Sequence, residues 1–187
     1  MTCSTLAIAL GANLGDPEAT LTTVRPRLQA LLAAWGGESL ARGCRWSPLF
    51  RTAPVGGPPD QPAYVNAVLV AGPLPVRTPD PRALLEALLA LERAFGRVRG
   101  QRWGPRLLDL DLLWCGASRL QGPVLELPHP RLAQRRFVLE PLLAIDPALS
   151  PPLVQGAPSL SVAQLLARLE AVEPPPRRLP SRPGWPE

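Results

Sequence analysis

The chain contains no lysine: all 20 of its basic residues are arginine. Histidine, methionine and tyrosine occur once each, and phenylalanine and cysteine three times each, in 187 residues. Cys3, Cys44 and Cys115 are scattered and odd in number, so they form neither a disulfide framework nor a Cys-x-x-Cys metal site, and a reducing cytoplasm fits them. No apolar run approaches the roughly 18 residues that would suggest a membrane span. The apolar residues 6–10 are too few for a signal-peptide core and follow no basic leader. A cytoplasmic protein away from membranes is therefore expected. The missing lysine, together with 26 prolines, reads as a coding bias and not as an arginine-specific function.

What remains is a globular composition, 46% hydrophobic and 19% charged, on a chain long enough for one domain with a real core. No internal repeat or linker divides it. One domain over residues 1–173 is expected, followed by a proline-rich tail, 174–187, held loosely. The net charge of +5 leaves nucleic acid open as a partner, but the location of the charge matters more than its sum.

Along the chain, residues 5–10 read as a buried strand ended by the glycine turn 11–16, which lacks the Gly-Lys-Ser/Thr ending of a phosphate-binding P-loop. Asp16-Pro17 starts a helix with Leu21, Val24, Leu28 and Trp35 at helical spacing, and Pro26 predicts a kink or a late start. After Gly36-Gly37, residues 39–50 resemble a strand. Residues 51–62 are too rich in proline and glycine to be regular, either offering backbone groups to a ligand or simply turning at the surface. A strand over 64–70 puts Tyr64 and Asn66 on one face, where they either hold a flat heterocycle or merely begin the strand. Asp80-Pro81 opens a second helix carrying Leu84, Leu88, Leu91 and Phe95, which Gly96 ends. A short strand at 124–127, core at 137–143 and a helix at 160–172 complete the reading. The order β-α-β-β-α-β predicts an α+β fold, a ferredoxin-like sandwich with a mostly antiparallel sheet and helices packed on it.

The richest stretch is Arg97 to Asp111, R-V-R-G-Q-R-W-G-P-R-L-L-D-L-D. Residues 108–114 alternate at period 2, which turns Leu108, Leu110, Leu112 and Trp114 one way and both aspartates the other. Side chains i and i+2 on a strand lie roughly 7 Å apart, and like charges at that spacing favour a divalent cation between them. Mg²⁺ takes one or two carboxylates and completes its shell from water and phosphate oxygens. Arg97, Arg99, Arg102 and Arg106 could grip the same polyphosphate. A surface salt-bridge network is the competing reading.

Four motifs in order then carry a specific resemblance: G-x-N-L-G-D (11–16), R-T-x-P … D-Q-P-x-Y-x-N (51–66), G-R-x-R … R-W-G-P-R-x-x-D-x-D (96–111) and P-H-P-R … R-x-F-V-L (128–139). Over residues 5–147 the chain resembles the 6-hydroxymethyl-7,8-dihydropterin pyrophosphokinases of folate biosynthesis. That resemblance implies transfer of diphosphate from ATP to a pterin alcohol, releasing AMP. It implies Asp109 and Asp111 on two Mg²⁺ ions, with Arg97 and Arg106 steadying charge during transfer. Glu92, Arg99, Arg102, Leu112, His129 and Arg135 would line the ATP site. The pterin would lie between Tyr64 and Phe137, its edge read by Asn66 and by backbone groups of Thr52, Ala53 and Val55. Ala12 and Ala53 depart from the serine and proline frequent in the family. A monomer acting on small molecules is expected; the alternative is a ferredoxin-like nucleic-acid-binding module using the arginine cluster.

Overall fold

Strand β1 (Leu6–Ala12) lies inside the sheet, where its two faces are buried against different layers. A computed structural model of the chain describes residues 4–97, 104–152, 159–169 and 174–186. Strands β4 (Tyr64–Ala71) and β5 (Asp109–Cys115) flank β1, both antiparallel to it. Strands β2 (Arg45–Trp46) and β3 (Phe50–Thr52) both pair with β4, and β6 (Arg177–Arg178) pairs with β3. The described residues thus form a six-stranded sheet along the path β5-β1-β4-β3-β6, with β2 beside β4. The connection β1, helix, β2/β3, β4, helix, β5 is the expected βαββαβ pattern with its second strand split.

One face carries Leu6, Ile8, Leu10, Val65, Leu69, Leu110 and Leu112 and is covered by helices α1 (Pro17–Gly36) and α3 (Pro81–Ala94). Both helices begin as their Asp-Pro pairs predict. Asp16 Oδ1 accepts from the Ala19 N–H at 2.9 Å, and Asp80 Oδ1 from the Arg82 N–H at 2.9 Å. The first helix starts at Pro17 and continues through Pro26, so a late start is excluded. Leu21, Val24, Leu28 and Leu32 of α1 and Leu84 and Leu88 of α3 are fully buried; removing such a leucine side chain typically costs about 2–5 kcal/mol.

The opposite face is only half covered. Helices α4 (Arg136–Ile145) and α5 (Val162–Arg168) bury Val138, Leu139, Leu142, Val162 and Leu165 against Ala7, Val68, Val70, Leu113 and Trp114. Beyond them, at the other end of the same strands, Ala9, Gly11, Tyr64, Asn66, Asp109 and Asp111 stand around an open cleft.

Five expectations are corrected, the last of them in the C-terminal segment. Residues 39–50 do not form one strand: Glu38–Arg42 is a short helix, α2, and only Arg45–Trp46 and Phe50–Thr52 are extended. Between those two pieces Ser47 Oγ accepts from the Val68 N–H at 2.9 Å and Pro48 has no N–H to give, so the ladder is interrupted. Trp114 does not share a face with Leu112. The β1–β5 register shifts between Ala7 and Ile8, whose partners are Trp114 and Leu112, and this bulge at Leu113 sends Leu113 and Trp114 together to the α4 side. Residues 124–127 provide a single bridge, Leu120 to Leu127, and no strand. The final helix spans Val162–Arg168, shorter than expected, and residues 170–172 lie outside the described residues.

The C-terminal segment is not loose. Leu179 and Trp185 are each only 7% exposed. The Trp185 ring stands edge-on to Trp46, centroids 5.4 Å apart, and its Nε1–H donates to the Ser47 carbonyl at 2.8 Å. Proline content concealed two apolar anchors. No helix among the described residues is long and apolar enough to cross a membrane.

Candidate active site

Gly11 is the floor of the cleft. In register it faces Asn66 of β4 on one side and Asp109 of β5 on the other. Strands lie about 4.8 Å apart, so the backbones bearing Asn66 and Asp109 are separated by only about 10 Å. A Cβ on Gly11 would come within 3.0 Å of Asn66 Oδ1 and 3.9 Å of the Tyr64 ring. The missing side chain keeps the floor flat and open.

On the β4 side, Thr52, Ala53, Val55, Tyr64, Asn66 and Phe137 all line the cleft. Asn66 Nδ2 donates to Thr52 Oγ1 at 2.7 Å, which orients the amide, and the Tyr64 hydroxyl donates to the Gly104 carbonyl at 3.2 Å. Burial pushes the Tyr64 phenol up, so it is a neutral donor at ordinary pH. Phe137 projects from the first turn of α4, with the Arg135 guanidinium 5.6 Å from its ring centroid.

On the β5 side, Asp109, Asp111, Arg106 and Arg135 line the cleft. Arg97 Nη1 lies 2.7 Å from Asp109 Oδ1 and Arg106 Nη1 lies 2.6 Å from Asp109 Oδ2. Arg135 Nη1 pairs with Asp111 Oδ2 at 2.6 Å. Burial, and next the Asp111 carboxylate, push the Asp109 carboxyl up; Arg106 and Arg97 pull it back only in part.

Glu92 and Leu112 stand behind the cleft, apart from its lining residues. Glu92, 1% exposed, accepts from the Leu110 N–H at 2.6 Å and from Arg97 Nη1. It aims Arg97 at Asp109 while fixing the strand between the two aspartates. Burial is the main cause that pushes its carboxyl up. Leu112 is in the core on the α1/α3 side, so its side chain does not reach the carboxylates. His129 is half-buried beside this cluster, its N–H bonded to the Leu113 carbonyl at 2.7 Å. Its Nδ1 accepts from the Arg131 N–H at 3.1 Å, which leaves the ring proton on Nε2. Burial, then the Arg135 and Arg131 guanidiniums, hold the imidazole below its ordinary value against the pull of Asp111. Arg99 and Arg102 lie outside the described residues.

Two residues of the glycine turn were missed as site components. Besides Gly11, Asn13 is 2% exposed and joins the halves. Its Oδ1 accepts from the Arg106 N–H at 2.6 Å and its Nδ2 donates to the Pro62 carbonyl at 3.1 Å. The signal was a glycine inside an otherwise apolar strand.

The donor set bears on metal. Among the described residues no three His, Cys, Asp or Glu side chains converge as a preformed cage. Asp109 and Asp111 instead offer two carboxylates on one face, which fits Mg²⁺ completing its shell from water and phosphate. The arginines that pair with them are placed to exchange carboxylate for phosphate oxygens.

Residues 7–147 match the family model described as 7,8-dihydro-6-hydroxymethylpterin-pyrophosphokinase. A 2-amino-4-hydroxy-6-hydroxymethyldihydropteridine pyrophosphokinase of Mycobacterium tuberculosis is 39% identical over 178 residues, 90% of this chain and 85% of that protein. The protein of the same name from Pseudomonas aeruginosa is 40% identical over 156 residues, covering 83% and 89%. Among solved structures, Plasmodium falciparum HPPK-DHPS superposes with a TM-score of 0.57 at 12% identity over 90% of this chain. The chain spans 45% of that longer one, and the likeness bears on the fold alone.

Proposed function

The chain belongs to the 7,8-dihydro-6-hydroxymethylpterin-pyrophosphokinase family, and on that premise we propose how its cleft performs the transfer of diphosphate from ATP to the pterin alcohol in folate biosynthesis. The observation that carries the reading is Gly11, with the flat-ring half of the cleft on one neighbouring strand and the charged half on the other. An acceptor hydroxyl bound over Asn66 would reach a polyphosphate bound over Asp109 without movement of the sheet. Most of the rate then comes from holding the reactants in line and from fixed charge around them.

In this reading the pterin lies against Tyr64 and Phe137, with Asn66 and the backbone of Thr52, Ala53 and Val55 reading its edge. The Thr52 hydroxyl already orients the Asn66 amide, so little order is lost on binding. ATP lies along the β5 side, held by Arg97, Arg106 and Arg135, with His129 Nε2–H a neutral donor beside them. Arg99 and Arg102 belong to the same proposed ATP site. Glu92 positions Arg97, and Leu112 contributes through its backbone. The pterin hydroxyl attacks the β-phosphorus and gives up its proton to solvent, the bond from that phosphorus to the α/β bridging oxygen breaks, and AMP leaves with that oxygen. Two Mg²⁺ ions held by Asp109 and Asp111 would neutralise the phosphate oxygens. Arg97 and Arg106, forked and permanently charged, steady the negative charge that gathers on the bridge.

A monomer is the state proposed for the chain. Small molecules are its substrates in this reading. A nucleic-acid module gains no support: of the two aromatics at the cleft, Tyr64 alone stands on the sheet, Phe137 coming from α4, and Asp109 and Asp111 would oppose a polyanion.

The metal assignment is tested by titrating Mg²⁺ into Asp109→Ala and Asp111→Ala and following turnover. Loss of at least about 10²-fold with unchanged circular dichroism is expected, the scale on which removal of one group stabilising transition-state charge is felt. Normal Mg²⁺-dependent rates in either variant would refute the assignment.

A further inference from the structure

We propose that the C-terminal segment, residues 174–186, is a strap that positions the pterin-contacting loop, so that pterin affinity depends on residues outside the cleft. The proposal rests on the assignment of the ring-binding half of the cleft given above.

The segment is fastened at four places. Trp185 packs against Trp46 and donates to the Ser47 carbonyl. Arg182 pairs with Glu18 at 2.9 Å, the carboxylate that Arg51 also holds at 3.2 Å. Arg25 Nε donates to the Gly184 carbonyl at 3.0 Å, and the Leu179 N–H donates to the Leu49 carbonyl at 2.8 Å. Gly184 has a φ of +83°, and a Cβ there would meet the Thr22 methyl at 2.9 Å; glycine lets the strap turn closely over α1.

Between these fastenings and the cleft lies β6. It takes the free edge of β3, pairing Arg178 with Phe50 and Arg177 with Arg51. The next residue of β3 is Thr52, the partner of the Asn66 amide. Immediately before β6, Pro174 and Pro176 line a second hollow with Pro54 and Arg136. Thr52, Ala53, Val55 and Phe137 border both this hollow and the cleft. These four residues are thus a wall one residue thick, with the cleft in front and the two proline rings behind. Residues 53–63 belong to no helix or strand, so Ala53 and Val55, between Thr52 of β3 and Phe137 of α4, have no ladder of their own and lean on what lies behind them. Proline rings limit that backing to few conformations. A strap that is anchored far away and rigid next to the loop lowers the order lost when a ring binds.

The β5 half shares no residue with this wall, touching it where Arg135 lies over Phe137, so the strap should act mainly on one substrate. The test uses the full chain as Trp185→Ala, with Trp185→Phe as the conservative variant, and Pro174→Gly/Pro176→Gly as an independent pair that leaves the anchors intact. Equilibrium binding of 6-hydroxymethylpterin and of a non-hydrolysable ATP analogue with Mg²⁺ is measured for each, beside its circular dichroism. Expected is pterin binding weaker by about tenfold in Trp185→Ala and about threefold in the proline pair, the scale of lost pre-organisation. Nucleotide binding should hold within about twofold and Trp185→Phe should recover most of the affinity. Should Trp185→Ala fail to fold, the proline pair decides. Wild-type pterin affinity in a folded Trp185→Ala or in the proline pair, or equal loss for both ligands, would overturn the strap. Wild-type protein that binds no pterin would instead overturn the ring-site assignment beneath it.

Discussion

At the scale of single residues, Gly11 shows how an absence can be functional. It lies in a strand where a β-branched residue would be favourable, yet any side chain would enter the space between Asn66 and Asp109. Gly11→Val should therefore fold normally while raising the KM for pterin by about tenfold or more, on the scale of one blocked contact. Steady-state kinetics beside a thermal melt will check this. His129 makes a second prediction, with the sign fixed by its surroundings. Its imidazole is held below the ordinary value of 6.5 chiefly by burial. The fold thus prefers the neutral ring: its contribution is present above pH 6.5 and is lost as pH falls through the depressed value, because the unfolded chain takes up the proton first. Asn at this position keeps an acceptor for the Arg131 N–H and cannot titrate. Between neutral pH and about pH 5, the melting temperature of the wild type should fall more steeply than that of His129→Asn. Parallel curves would contradict the account. The carboxylates and the aromatic-amide pair were legible as residues because they break an apolar pattern. Gly11 and Asn13 were not, because a glycine turn after a strand has an adequate structural explanation and their partners are 49 or more residues away in the chain.

At the scale of elements, the helices were the easiest to read, since Asp-Pro announces a cap and a first turn by local chemistry alone. Asp16→Ala should lower stability by about 0.5–2 kcal/mol, seen as a lower denaturant midpoint with unchanged slope; an unchanged midpoint would show that the cap bond contributes nothing. Strand boundaries were harder wherever a side chain replaced a ladder bond. Ser47 and Pro48 interrupt what reads as one strand, and the bulge at Leu113 turns Trp114 away from the face its spacing predicts. The first was marked locally by Pro48; the second depends on the partner strand and leaves no local mark. The C-terminal segment was misread for a related reason. Its prolines speak for disorder, while its order depends on Trp185 meeting Trp46, 139 residues away.

At the scale of the whole molecule, the sheet divides its open face into a packed half under α4 and α5 and a polar half that forms the cleft. The same three strands serve both, so the core positions the site directly. The formal charge of +5 is also organised at this scale, since Arg97, Arg106 and Arg135 are each paired with a carboxylate of the cluster. A chain that holds the arginines proposed to bind phosphate in this way presents them only to a ligand able to compete for them, as polyphosphate with Mg²⁺ can. The most direct test of the account is to incubate the purified protein with ATP, Mg²⁺ and 6-hydroxymethyl-7,8-dihydropterin and to identify the nucleotide product by chromatography. AMP that appears only when pterin and metal are both present is the predicted result; ADP, or no turnover at all, would contradict it.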